Sequence, residues 1–267
     1  MSHPITRRLL ITLLALALTP INALADVLSE ATERGTLRVG VSLFVPWTMQ
    51  GADGNLKGFE VDVTRKLAAD MGVTAEYKTY VWDEIIPALE KGEIDIIAAG
   101  IAITPQRALR VNFSRPYDTW GATLVTNTEK TQHIESLSAL NASGTVMATV
   151  AETFAHEVSG HLFDQVDMKV FKTTDEAEAA VLSGEAIAYL VSSPEAYFFT
   201  LAHPGQVDMP LAEPLVESRA GFAVRKGEQE WLNFLNAWIE AREADNWIET
   251  AHHYWFKTVQ WKDKAAE

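Results

Sequence analysis

The chain has 267 residues and a formal net charge of −14 at pH 7, and 48% of its residues are hydrophobic. The acidic balance argues against nucleic acid and anionic lipid as partners, because both are bound through basic patches. The chain contains no cysteine, which excludes disulfides, thiolate metal sites, a cysteine nucleophile and a lipidated N-terminal cysteine.

The first 25 residues have the three parts of a cleavable signal peptide. Arg7 and Arg8 precede a short apolar run, and a small-residue site, Ala-Leu-Ala, ends at Ala25. The apolar run is about half as long as the roughly 20 residues that a membrane span needs, although a signal anchor remains the alternative. We expect cleavage after Ala25 and a protein free in the periplasm. The mature chain would carry 20 basic and 36 acidic residues, a net charge of −16.

Strand and helix patterns alternate through the next part of the chain. Residues 37–41 alternate apolar side chains with small or polar ones, which predicts a strand. Residues 59–71 carry apolar side chains every four positions and are followed by a glycine, which predicts a helix. A second helix is predicted from Asp83, as its N-cap, to Lys91, and a buried strand over residues 94–99. This alternation is typical of an α/β lobe.

The second half repeats the pattern less clearly. It predicts a strand over 146–150, a short helix over 153–160, a helix over 175–183 capped by Thr174 or Asp175, and a strand over 186–191. Trp231 and Trp238 lie at helical spacing in a later amphipathic helix that would pack on a core. Two α/β lobes would place a ligand in the crevice at the carboxyl ends of their strands.

The segment from Gly100 to Arg107 predicts a carboxylate receptor. A buried strand ends at the glycine, Thr104 can cap a new helix, and Pro105 suits its first position. Arg107 would then lie in the first turn beside free backbone N–H groups, and a guanidinium there matches a planar carboxylate. Such a charge-assisted contact contributes about 1.5–3 kcal/mol.

Several short motifs follow one another along the chain in a characteristic order and spacing. They are Gly-Thr-Leu-Arg-Val-Gly-Val at 35–41, Gly-Phe-Glu-Val-Asp at 58–62, Gly-Glu-Ile-Asp-Ile-Ile at 92–97, Ile-Thr-Pro-Gln-Arg at 103–107, Phe-Ser-Arg-Pro-Tyr at 113–117, Gly-Phe-Ala-Val-Arg-Lys-Gly at 221–227 and Tyr-Trp-Phe at 254–256. With these motifs the chain resembles the family 3 extracellular solute-binding proteins, the amino-acid-binding receptors of bacterial ABC importers.

The resemblance implies a two-lobed periplasmic binding protein fold of class α/β, with two crossing hinge strands. Carried over, lobe 1 comprises residues 26–124 and 219–267, and lobe 2 comprises residues 128–215. The chain would cross between the lobes near 124–127 and 217–220. Closure over the ligand would be a hinge motion.

The resemblance also implies ligand contacts from lobe 1. Arg107 matches the arginine that binds the ligand carboxylate, Gly100 and Ala102 match positions whose backbone groups face the ligand, and Phe44 and Trp82 match two aromatic residues that flank it. Trp47 lies in the same loop as Phe44. Packing in the core is the alternative for all three aromatic residues.

Lobe 2 departs from the family pattern at two places. Thr149 lies where a Gly-Thr pair usually contacts the carboxylate, but Ala148 replaces the glycine and Thr153 is a competing candidate. Ser192 lies where the family usually has an aspartate for the ligand ammonium. A hydroxyl does not balance that charge. Either Glu195 supplies the negative charge that pairs with the ammonium, or the ligand has no ammonium. Alternatively, Glu195 is an ordinary acidic residue in the first turn of a helix.

We therefore expect a monomeric receptor that binds a small carboxylate-bearing solute, with an amino acid as the favoured class, and delivers it to an inner-membrane ABC permease. We expect no catalysis, no cofactor, no metal and no nucleic acid. Val41 lies where receptors for basic amino acids often carry an acid, which disfavours arginine, lysine and histidine as the ligand. The alternatives are a periplasmic cyclohexadienyl or arogenate dehydratase-like enzyme with Glu195 as its acid, a receptor for a carboxylate without an amine, and a sensory module.

Overall fold

The computed structural model describes residues 26–51, 53–134, 136–258 and 261. The predicted signal peptide and its cleavage point lie outside the described residues. The described helices are α1 (Val27–Arg34), α2 (Phe59–Met71), α3 (Trp82–Glu90), α4 (Pro105–Ala108), α5 (Thr128–Thr131), α6 (Leu137–Leu140), α7 (Phe154–Leu162), α8 (Thr174–Leu182), α9 (Ser193–Ala202), α10 (Gln229–Ala244) and α11 (Trp247–Lys257).

The described strands form two main sheets and one short hairpin. They are β1 (Thr36–Val41), β2 (Met49–Gln50), β3 (Leu56–Lys57), β4 (Thr74–Thr79), β5 (Ile96–Ile97), β6 (Asn112–Phe113), β7 (Asp118–Asn127), β8 (Val146–Val150), β9 (Asp167–Phe171), β10 (Ala188–Ser192), β11 (Val207–Asp208), β12 (Val216–Ala220) and β13 (Ala223–Val224).

The first sheet has the strand order β4-β1-β5-β13-β6. Its first three strands run parallel, and β13 pairs antiparallel with β5 and β6. Leu37, Val39 and Val41 of β1 are fully buried because helices cover the sheet, as expected for parallel strands. The tryptophan helix is confirmed as α10, and Trp231 and Trp238 are buried in this lobe's core.

The second sheet has the order β11-β7-β10-β8-β9, and β12 also pairs with β7. Strands β8, β9 and β10 are parallel, whereas β7 is antiparallel to β10. The strand predicted over 146–150 is confirmed as β8. Hydrophobic clusters lie on both sheets, and the largest of them also includes Phe198 of α9 in lobe 2. The two-lobed α/β class expected from the sequence is confirmed.

Strands β7 and β12 pair along residues 118–122 and 216–220 and belong to the second sheet. The chain enters this sheet at Asp118 and returns to the first sheet at Ala223. Among the described strands, residues 118–121 of β7 pair with β12 alone, whereas residues 122–126 pair with β10. The lobe boundaries that the resemblance implies stay a prediction.

Several element ends differ from the expectation. The strand predicted over 94–99 is only Ile96–Ile97, because only these two residues pair with β1. Helix α3 begins at Trp82, and Asp83 lies in its first turn instead of capping it. Pro87 lies inside this helix.

Helix α8 is capped by Thr173, one residue before the two candidates named from the sequence. Its hydroxyl accepts a hydrogen bond from the N–H of Glu176, and the Glu176 carboxylate accepts one from the N–H of Thr173. This reciprocal pair satisfies two backbone donors at the helix start and selects Thr173. No helix among the described residues is long and apolar enough to cross a membrane.

Candidate ligand-binding cleft

The predicted ligand contacts lie where strands of both sheets end. Phe44 follows β1, Trp82 follows β4, Gly100 and Ala102 follow β5, Glu152 and Thr153 follow β8, and Ser192 ends β10. These ends are the carboxyl ends of parallel strands, so loops from the two lobes meet in one crevice, as open α/β sheets require.

Arg107 of lobe 1 bonds to lobe 2 across this crevice. Its Nη2 donates to the carbonyl oxygen of Glu152 at 2.6 Å and lies 2.8 Å from Glu157 Oε1. Its Nη1 donates to the carbonyl of Ala102 at 3.2 Å. The Arg107 side chain is 6% exposed, whereas that of Glu157 is 26% exposed. A carboxylate of the protein itself therefore contacts the guanidinium that the sequence assigns to a ligand carboxylate.

The local sequence fixes the position of Arg107. The Thr104 hydroxyl accepts a hydrogen bond from the backbone N–H of Arg107, and Pro105 is at the first helical position, as predicted. Burial lowers the pKa of Arg107 from its ordinary value, and the nearby carboxylates of Glu157 and Glu152 oppose this shift. The guanidinium stays charged, since its ordinary pKa lies far above neutral pH. A buried permanent charge needs an anionic partner.

Aromatic rings line the lobe 1 side of the crevice. The Arg107 guanidinium lies 5.9 Å from the ring centre of Trp82, and the Trp82 and Phe44 rings meet edge to face at 5.9 Å. Trp82 is partly exposed and packs against hydrophobic clusters of both lobes. It is therefore the aromatic residue best placed to contact a ligand between the lobes.

Trp47 lies behind Phe44 in the core. It is fully buried, its ring stacks on Phe44 at 4.8 Å, and its Nε1 donates to Asp118 Oδ2 at 2.9 Å. A Cβ on Gly100, which has φ +60°, would lie 2.8 Å from the Trp47 ring. Glycine at position 100 thus lets the indole pack closely, and Trp47 supports Phe44 from the core side.

The backbone groups of Gly100 and Ala102 are occupied within lobe 1. The N–H of Gly100 donates to Glu60 Oε1 at 2.6 Å, and the hydroxyl of Tyr117 also donates to the Glu60 carboxyl. The carbonyl of Ala102 accepts from Arg107. These two residues therefore position the arginine side of the cleft.

Thr149 and Thr153 lie in different surroundings. Thr149 is fully buried in β8, and its hydroxyl donates to the carbonyl of Leu190 in the neighbouring strand at 3.2 Å. Thr153 caps helix α7 at the end of β8, next to Glu152, whose carbonyl binds Arg107. The geometry favours Thr153 as the threonine at the cleft, because the side chain of Thr149 points into the sheet.

Ser192 and Glu195 are joined at the start of helix α9. The Ser192 hydroxyl accepts a hydrogen bond from the N–H of Glu195 and caps the helix. Glu195 is 3% exposed; its Oε1 accepts from the hydroxyl of Tyr189 at 3.3 Å, and its Oε2 is buried with no hydrogen-bond partner among the described residues. Burial, with a smaller contribution from the nearby Glu178 carboxylate, raises the pKa of Glu195 to about 8.

Sequence reasoning missed three acidic residues at the cleft. Glu157 lies in the first turn of α7, Glu178 lies in α8, and Glu60 holds the Gly100 loop. For Glu157, the only signal in the sequence was its place soon after a capping threonine. That pattern also fits an ordinary helix start. Among the described residues, no group of three or more histidines and acids is arranged to hold a metal ion.

Comparison with known proteins agrees with this architecture. The profile of the bacterial extracellular solute-binding proteins, family 3, matches residues 37–258. The L-cystine-binding protein TcyJ of Escherichia coli strain K12 is 28% identical over 94% of this chain and 95% of its own length.

Two solved structures are similar over most of the chain. An ancestral amino acid-binding protein, described as a precursor of cyclohexadienyl dehydratase, is 33% identical with a TM-score of 0.80, over 87% of this chain and all of its own. An ancestral arginine-binding protein bound to arginine is 31% identical with a TM-score of 0.77, over 84% of this chain and 99% of its own.

Proposed function

The chain belongs to the bacterial extracellular solute-binding proteins of family 3, and from this premise we propose that it is the periplasmic receptor of an ABC importer for an amino acid. The observation that carries the proposal is the Arg107 guanidinium, which is buried at the crevice and bonded across it. In our proposal the ligand carboxylate takes the place of the Glu157 carboxylate on Arg107. The ligand side chain then extends along Trp82 and Phe44.

The names of similar proteins support an amino acid as the ligand. Relatives are named for binding cystine, histidine and glutamine, and one similar structure holds arginine. These ligands share a carboxylate and an ammonium but differ in side chain. We propose that the protein acts as a monomer in the periplasm, binds its ligand without transforming it, and delivers it to an inner-membrane permease.

A thermal-shift screen of the ligand-stripped protein tests this function. The panel contains the twenty amino acids, their 2-oxo acids, simple carboxylates and prephenate, and it is repeated on Arg107→Ala. A ligand at 100 times its dissociation constant stabilises by about 2.7 kcal/mol, which shifts Tm by several degrees. We expect one or a few amino acids to shift the protein and none to shift the variant. No shift by any amino acid, or a shift that survives loss of Arg107, contradicts the proposal.

A second candidate function is favoured by Glu195. A buried carboxyl with a pKa of about 8 is protonated at neutral pH and can donate a proton to a leaving hydroxyl. A similar structure is described as a precursor of cyclohexadienyl dehydratase. Such an enzyme would convert prephenate to phenylpyruvate, carbon dioxide and water. Formation of phenylpyruvate that Glu195→Gln abolishes would favour the enzyme over the receptor.

A further inference from the structure

Two short segments run side by side between the two main sheets. Residues 118–121 of β7 pair with residues 217–220 of β12 and, among the described strands, with no other strand. Tyr117, directly before β7, donates its backbone N–H to the carbonyl of Ala220 at 3.0 Å. A hinge motion between the lobes would act on these paired segments, which we call the hinge ribbon (residues 117–121 and 217–220).

The arginine side of the cleft is attached to the hinge ribbon through Glu60. The Glu60 side chain is fully buried, and its carboxyl accepts the N–H of Gly100 at 2.6 Å and the hydroxyl of Tyr117 at 2.8 Å. The same cleft segment also pairs with the ribbon directly, because Ile103 donates its N–H to the carbonyl of Arg219 at 2.9 Å. One buried carboxyl thus joins the loop after β5 to the first residue of the ribbon.

The aromatic side of the cleft is attached to the hinge ribbon through Asp118. The indole Nε1 of Trp47 donates to Asp118 Oδ2 at 2.9 Å, and the Trp47 ring stacks on the Phe44 ring with 4.8 Å between their centres. Asp118 is fixed on the ribbon, because the N–H of Thr119 donates to its Oδ1 at 2.7 Å. Two neighbouring residues, Tyr117 and Asp118, therefore each hold one half of the lobe 1 wall.

We propose that Tyr117 and Asp118 are positioning residues for ligand binding, which couple the lobe 1 wall of the cleft to the closure of the lobes. In the structure Arg107 contacts Glu152 of lobe 2 while both hydrogen bonds to the wall are made. When the hinge ribbon turns, Tyr117 and Asp118 turn with it, and the loops that carry Arg107 and Phe44 follow. Such a coupling is reciprocal, so loss of either bond also changes how readily the lobes close. It goes beyond the proposed function, because it concerns how the wall is held and applies to any solute.

Two substitutions remove these hydrogen bonds and keep an aromatic ring at each position. Tyr117→Phe removes the hydroxyl that binds Glu60, and it leaves the hydrogen bond between Glu60 and Gly100 in place. Trp47→Phe removes the indole N–H that binds Asp118. A phenyl ring remains beside Phe44 in that variant.

Lobe 1 offers a matched control for each substitution. Tyr77→Phe removes a hydroxyl that donates to the carbonyl of Val61 at 2.9 Å. Trp238→Phe removes an indole N–H that donates to Asp70 Oδ2 at 2.9 Å. Neither bond involves the hinge ribbon. Each control therefore loses the same kind of hydrogen bond in the same lobe, and urea unfolding of all four variants compares their losses of stability.

Single-molecule energy transfer measures the distance between the lobes in the protein without ligand. The chain has no cysteine, so Glu84→Cys in lobe 1 and Lys172→Cys in lobe 2 supply two unique dye positions. Both residues are exposed, and they line a cavity between the lobes from opposite sides. Opening of the lobes therefore lengthens the distance between the dyes.

We expect Tyr117→Phe and Trp47→Phe each to raise the ratio of open to closed molecules about threefold or more, because each removes a buried hydrogen bond that supports the closed cleft. Tyr77→Phe and Trp238→Phe should leave the ratio unchanged at a similar loss of stability. An unchanged or lower ratio in the first two variants, or an equal rise in the controls, would overturn the inference. The measurement needs no ligand, so that result would leave the proposed function standing.

Discussion

The two walls of the cleft carry side chains of different chemistry. The lobe 1 wall consists of Arg107, Trp82 and Phe44, and each is held by its own lobe through the Thr104 cap, the start of α3 and the Trp47 ring. The lobe 2 wall instead presents Glu152 and Glu157, with Glu178 and Glu195 beside them. One wall is a cationic and aromatic platform, and the other is acidic.

The difference between the two walls suggests a division of roles in ligand binding. The lobe 1 wall follows the family motif, and in the proposed function it would bind the carboxylate and the apolar part of an amino acid. The lobe 2 wall departs from the motif at Ser192 and adds acids that the motif does not contain. The choice among ligands is therefore expected to depend on lobe 2, and substitutions in the two walls should have different effects.

The largest expected effect is from Arg107→Ala. Removal of one partner of a buried charge pair costs about 2–5 kcal/mol, so affinity for the ligand identified in the screen should fall at least 30-fold by titration calorimetry. Arg110→Ala is the matched control, because Arg110 is exposed and pairs with Glu90 on the surface. Equal losses in the two variants would contradict a specific role for Arg107.

Next in size is the effect of Glu195→Gln on the pH dependence of stability. The folded pKa is raised from 4.5 to about 8, so the folded protein keeps a proton that the unfolded chain loses between these values. Stability from this group is complete below about pH 4.5 and falls as pH rises towards 8, by up to about 1.4 kcal/mol per pH unit. The titratable groups around Glu195 are Glu178 and Asp175 of α8 and Tyr189 of β10.

Urea unfolding at pH 5, 6.5 and 8 measures this effect. The stability of Glu195→Gln relative to the unchanged protein should rise with each step in pH. A difference that is constant across the three pH values would show that Glu195 is ionised in the folded state. Glu213→Gln, with an exposed side chain, should show no such slope.

A moderate effect is expected from Trp82→Ala. A ligand stem or cation on the indole face contributes about 0.5–2 kcal/mol, so affinity should fall about two- to 30-fold by calorimetry. Val81→Ala is the control, since the neighbouring valine is exposed. An unchanged affinity would mean that Trp82 only packs the two lobes together.

The smallest effect on binding is expected from Thr149→Val. The buried hydroxyl donates to the Leu190 carbonyl within the sheet, so its loss should lower the free energy of unfolding by about 1 kcal/mol and leave affinity unchanged. Thr153→Ala removes the cap of α7 at a similar cost of about 1 kcal/mol. It should also weaken ligand binding. The reverse pattern would restore Thr149 as the cleft residue.

Local sequence determined much of the fold and the lobe 1 wall. The Thr104-Pro105 pair predicts where α4 begins and places Arg107 in its first turn, because a cap acts within one turn of the helix. The mostly apolar run at 146–150 likewise predicts strand β8. The capping pair of Thr173 and Glu176 was also present in the sequence, but the predicted caps, Thr174 and Asp175, were wrong.

Long-range contacts were beyond the reach of the sequence. Glu157 meets Arg107 across 50 positions only because the lobes face each other, and nothing near Glu157 encodes that meeting. Glu60 likewise looks like an acid in a helix first turn, yet it is fully buried and binds Gly100 and Tyr117. An acidic residue that binds a distant partner has the same kind of sequence neighbours as one that is exposed to solvent.

In the proposed function, Glu157 occupies the carboxylate site on Arg107 until the ligand replaces it. The affinity of Glu157→Gln for the ligand, measured by titration calorimetry, tests this directly. An ion pair with one partner partly exposed contributes about 0.5–1 kcal/mol, so removing this internal competitor should tighten binding about two- to fivefold. Unchanged or weaker binding would rule out this exchange, because Glu157 would then not compete with the ligand for Arg107.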